Sequence, residues 1–128
     1  MKNLNRLYWL KKEKMQIENQ IKELTVLSAV SMNGMPSGHN VSSPVEQFNI
    51  RLEQLKEKLQ RKCEEMLAET ERIEEYIENI EDAEVRVIAR KRFIENKTYQ
   101  VIGNEMYTDG STARKKLKRF LESEAQGE

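Results

Sequence analysis

Residues 80–121 read IEDAEVRVIARKRFIENKTYQVIGNEMYTDGSTARKKLKRFL. Apolar residues recur there at three- and four-residue steps in three short runs, the signature of helices with one buried face. In the first run, over about residues 82–95, Val85, Ile88, Ala89 and Phe93 share a face with Arg92 beside them, and Asn96-Lys97 closes the helix. Thr98 follows as a cap whose hydroxyl can accept from an exposed backbone N–H. The second helix then turns Val101, Ile102 and Met106 inward, with Gly103 where two crossing helices need a small residue. Tyr107-Thr108-Asp109-Gly110 makes a turn, and Asp109 or Ser111 caps a last helix that buries Ala113, Leu117, Phe120 and Leu121. Two short helices, a four-residue turn and a basic final helix form the pattern of a helix-turn-helix.

The outward face of that last helix carries the chemistry. With Leu117 at the centre of the buried side, Lys115 and Arg119 fall nearly opposite, Ser111 and Thr112 next, and Arg114 and Lys118 on one flank. The start of a recognition helix is the part that reaches base edges, so Ser111, Thr112, Arg114 and Lys115 are the residues expected to read duplex DNA. Lys118 and Arg119, farther along, suit phosphates, as does Lys97 at the preceding turn.

Upstream, residues 3–28 form a first helix, with Leu10, Ile17 and Leu24 spaced by seven and Lys14 interrupting the seam. Residues 29–44, AVSMNGMPSGHNVSSP, hold two Gly and two Pro among Ser and Asn and read as a flexible linker. Residues 45–80 resume a helix in which Leu52, Leu59, Met66, Ile73 and Ile80 repeat every seven residues. A second row begins with Phe48 and Leu55 and shifts to Cys63 and Ile77, so the apolar stripe drifts around the helix. The economical partner is the first helix, folded back as an antiparallel hairpin. Homodimerisation through the long helix is the other geometry the heptads allow.

The formal net charge is zero, but the charge is segregated. Residues 46–85 carry thirteen acidic against six basic side chains, and residues 86–120 carry ten basic against three acidic. The acidic stretch reads as a solvated face; docking on a basic surface is the sharper alternative. One cysteine, Cys63, rules out an intrachain disulfide, and one histidine, His39 in the linker, leaves no zinc ligand set. Cys63 is expected to pack, as are Tyr8 and Trp9. No phosphate loop, calcium loop or nucleophile–base pair is present, so no enzyme activity and no cofactor are expected. Without a signal peptide or a long apolar segment, the expectation is a cytoplasmic protein that does not contact the membrane.

The pattern Ile102-Gly103, Met106, a turn, then Thr112-Ala113 and basic residues resembles region four of bacterial sigma factors. Gly103 and Ala113 stand where that family carries larger residues, which predicts looser packing. The whole layout is similar to small phage and prophage transcription regulators of the ArpU and RinA type. That resemblance implies a phage regulator acting in the bacterial host, with double-stranded DNA and host RNA polymerase as partners.

The expected fold is therefore all-α: a helical hairpin over 1–80, with its linker at 29–44, a three-helix module over 81–121, and a disordered tail at 122–128. Two other functions stay open, a DNA-packaging protein of the small-terminase kind and a structural or adaptor coiled coil.

Overall fold

The computed structural model describes residues 3–33 and 43–127, with side chains for 3–29 and 43–127. Its regular elements are all helical: α1 (Arg6–Asn33), α2 (Pro44–Glu78), α3 (Ala83–Ala89), a π-helical turn (Arg90–Ile94), α4 (Tyr99–Glu105) and α5 (Gly110–Gly127). The chain divides into two compact units, Leu10–Met66 and a second made of Met1–Trp9 with Leu67–Glu128.

In the Leu10–Met66 unit, α1 extends through the expected linker as far as Asn33. Nothing before Gly34 lacks a side chain or a backbone N–H, so the helix has no reason to stop sooner. Residues 34–42 of the linker, His39 included, lie outside the described residues. Ser43 starts α2, its hydroxyl accepting from Glu46 N at 3.0 Å, with Pro44 in the first helical position. Leu10, Ile17 and Leu55 are buried, while Lys14, Ile21, Leu24, Ser28, Leu52 and Leu59 are half-buried. Leu27 is instead exposed. Lys62 Nζ lies 3.5 Å from Glu13 of α1.

Cys63 is exposed, contrary to expectation. In the second row of α2, Lys62 is half-buried where Cys63 was expected, Glu69 is buried, and Tyr76 and the expected Ile77 are both buried.

In the other unit, Arg72 donates to Asn3 O at 2.9 Å and Arg6 lies 3.6 Å from Glu69. Both contacts tie the start of the chain to the last turns of α2. Glu69 is 3 % exposed and accepts two bonds from Arg72, at 2.9 and 2.6 Å. Those bonds, with the charges of Arg72 and Arg6, hold its carboxyl below the ordinary range despite burial. Around them pack Leu4, Leu7, Ile73, Tyr76, Ile77 and Ile80. Tyr8 and Trp9 stack edge to face at 5.0 Å, yet Trp9 remains 61 % exposed, so it does not pack inward as expected.

Asp82 caps α3, accepting from Glu84 N at 2.9 Å, and Arg86 clamps the preceding bend through Ile80 O and Glu81 O. Val85, Ile88, Ala89, Phe93, Ile102, Ala113 and Leu117 form the remaining core. Val101 points outward, 41 % exposed, because Ile102 and Gly103 take the buried face of α4. α5 runs on to Gly127 where a disordered tail was expected. Residues 122–126 contain no helix breaker, and Glu124 accepts from the Tyr76 hydroxyl at 2.6 Å. Among the described residues no helix is long and apolar enough to cross a membrane.

Candidate nucleic-acid interface

The basic helix α5 is positioned by glycine. A Cβ built on Gly103 would stand 2.5 Å from Gly110 N, and one on Gly110 would stand 2.7 Å from Tyr99 O. The two backbones therefore touch where α4 meets the start of α5. Small residues here produce a closer approach, not the looser packing expected from their size: the helices move in until main chain meets main chain.

Each end of the turn is closed by main chain and short side chains. Thr98 caps α4, its hydroxyl accepting from Val101 N at 3.3 Å. Thr108 N donates to Gly103 O at 2.8 Å, sealing the C-terminus of α4. Of the two expected caps for α5, Asp109 is the one used, accepting from Ser111 N through its side chain and from Thr112 and Ala113 N through its carbonyl.

This places Ala113 and Leu117 in the core and leaves Ser111, Arg114, Lys115, Lys118 and Arg119 exposed, with Thr112 half-buried. At about 100° per residue, Ser111, Arg114, Lys115 and Lys118 fall within one sector of roughly 100°. Lys116 and Arg119 lie on the other flank, where with Phe120 they border a cleft shared with Asp82, Glu84 and Val85. Lys116 is ion-paired with Glu84. Among the described residues, Arg114, Lys115 and Lys118 make no ion pair. The acidic end of α2 reaches this module through Glu78, which takes Arg90 at 2.9 Å, and leaves that sector of α5 uncovered.

Lys97 is placed differently. It lies 2.7 Å from both Glu95 and Glu105, and Glu105 also takes Lys91 at 2.8 Å. Bonds from Lys91 and Lys97 hold the Glu105 carboxyl below its usual range, and bonds to Glu105 and Glu95 push Lys97 up. Lys97 can meet a phosphate only by exchanging one of these carboxylates.

Two features escaped the pattern of residue types. Arg92 stacks 4.5 Å over the Tyr99 ring and donates to Lys97 O, fastening the α3–α4 connection. Tyr107 adopts a left-handed backbone, φ 55°, with its side chain in solvent. A large aromatic standing where a turn favours Gly or Asn was the available signal.

Compared with protein-family models, with curated proteins and with solved structures, the chain matches none.

Proposed function

We propose that this chain is a sequence-specific DNA-binding transcription regulator of a phage or prophage, with α4, the turn and α5 acting as a sigma-like helix-turn-helix. The observation that carries the reading is the exposed, unpaired sector Ser111–Arg114–Lys115–Lys118 on a helix set by backbone contact with α4. Cations without intramolecular partners exchange only water and counterions for phosphates, which favours binding at low salt. Ser111, Thr112, Arg114 and Lys115 would face base edges, and Lys118 and Arg119 the phosphates. Lys97 would join after releasing Glu95 or Glu105.

The long helices would form an antiparallel hairpin, and a homodimer through α2 would set two copies of α5 about 34 Å apart, one turn of duplex. Regulation would follow from contact between the bound protein and host RNA polymerase in the bacterial cytoplasm.

The test is titration of the purified protein with random duplex at about 50 mM salt, followed by selection from a random pool. Lys115→Glu should weaken binding roughly tenfold or more. No affinity at low salt, with no effect of Lys115→Glu, defeats the proposal. A ring-sized mass in solution would instead favour a packaging protein.

A further inference from the structure

The flank of α5 that carries Lys116 and Phe120 faces away from the sector of Ser111, Arg114, Lys115 and Lys118. The two residues lie roughly 150° and 170° around the helix from the middle of that sector. With Asp82, Glu84, Val85 and Arg119 they line a cleft of about 360 Å³ that opens to solvent. Val85 is buried and Phe120 half-buried, which gives the cleft an apolar floor. Its wall at α3 is fixed in place, because Asp82 caps that helix and Arg86 clamps the bend before it.

The charges along the cleft are unequally engaged. The Asp82 carboxyl accepts from Glu84 N and Val85 N, and Glu84 pairs with Lys116. Arg119 is exposed and makes no ion pair among the described residues. The cleft therefore offers an unengaged cation beside an apolar floor, and its complement is a carboxylate close to an apolar side chain. We propose that it docks an extended acidic segment of a partner protein, its carboxylate on Arg119 and an apolar side chain on Phe120 and Val85. Residues i and i+2 of an extended chain share a face, which supplies that spacing. The volume is at the lower end of the roughly 300–1,000 Å³ typical of ligand sites, so it takes side chains and not a folded element. Arg119, given to a phosphate in the DNA reading, borders both faces and serves one contact at a time.

The experiment titrates the full chain with a short synthetic peptide of Glu, Leu and Ser while backbone amide signals are followed by NMR. Two control copies carry Lys in place of Glu, or Ser in place of Leu. The acidic peptide should shift signals centred on Val85, Lys116, Arg119 and Phe120, with a Kd on the order of 1 mM. Arg119→Glu should weaken it about fivefold, the worth of one exposed ion pair. The same variant should reverse the preference, so that the Lys copy binds it better than it binds the wild type. Replacing Leu should weaken binding about fourfold, the worth of one buried methylene. Arg119 is exposed and the other changes are made in the peptide, so no arm depends on a core substitution. Shifts absent from the cleft, shifts centred instead on Arg114, Lys115 and Lys118, or an unreversed preference in Arg119→Glu overturn the proposal. No nucleic acid is present, so failure here leaves the DNA reading standing.

Discussion

The Leu10–Met66 unit and the α3–α5 module are both helical, yet their helices exist for opposite reasons. The first is built from long runs of α1 and α2, rich in Glu, Lys, Gln and Leu, where each added residue brings its own i→i−4 bond. Its seam is mostly half-buried. By contrast α3 and α4 are seven residues each, far below the ~12–15 at which an isolated helix becomes even marginally stable. They persist because Ile88, Ala89, Ile102, Ala113 and Leu117 are almost completely removed from water. Propensity sustains one region and packing the other.

That difference should be sharpest under core truncation. Leu117→Ala should cost roughly 2–5 kcal/mol and abolish the proposed DNA binding with the fold, whereas Leu24→Ala, half-buried, should cost about 1 kcal/mol. Chemical denaturation followed by circular dichroism measures both. Equal losses would erase the distinction.

Gly103→Ala is the next largest. In an ordinary helix this change stabilises by about 1 kcal/mol. Here the new Cβ meets the Gly110 backbone, so a loss of about 1–3 kcal/mol is expected, with α5 displaced. A rise in Tm would show that the contact can yield.

Glu69 tests the polar seam. Its carboxyl is held below the usual range in the folded state, so its contribution is present above the unfolded carboxylate pKa and disappears as pH falls through the folded value. Arg72 and Arg6 are about half exposed and can rehydrate, so Glu69→Gln should cost only about 1 kcal/mol near neutrality. It should also flatten the acid limb of the stability profile. Unchanged acid sensitivity would place its origin elsewhere.

The smallest effect is expected at the exposed cluster of Lys91, Lys97 and Glu105. Lys97 is raised, so its contribution is complete below the ordinary lysine pKa and fades as pH rises through the elevated value. Glu105→Gln should barely move Tm. Because it frees Lys91 and leaves Lys97 with Glu95 alone, it should instead strengthen the proposed binding to DNA at low salt, measurable by titration.

Much of this was legible in residue order. The row Leu52, Leu59, Met66, Ile73, Ile80 announced the long helix, Thr98 and Asp109 the starts of α4 and α5, and Leu117 the buried side of α5. Glu69 was not, because a carboxylate on a charged helix looks solvated until two arginines are brought to it from different turns and chain segments. Nor was the pairing of Lys97 with Glu105, eight residues apart across a helix boundary. Val101 was assigned to the wrong side because a seven-residue helix offers too few turns to settle which face is inward.

By itself the sequence determined that the chain is helical, where α4 and α5 begin, and that the last helix is basic. These follow from periodicity, capping chemistry and charge, which act over a few residues. Tertiary structure alone decided which polar side chains enter the seam, how closely α4 approaches α5, and which cations stay unpaired. Those outcomes depend on groups distant in the chain arriving within a few ångströms, and only packing selects among the arrangements that local rules allow.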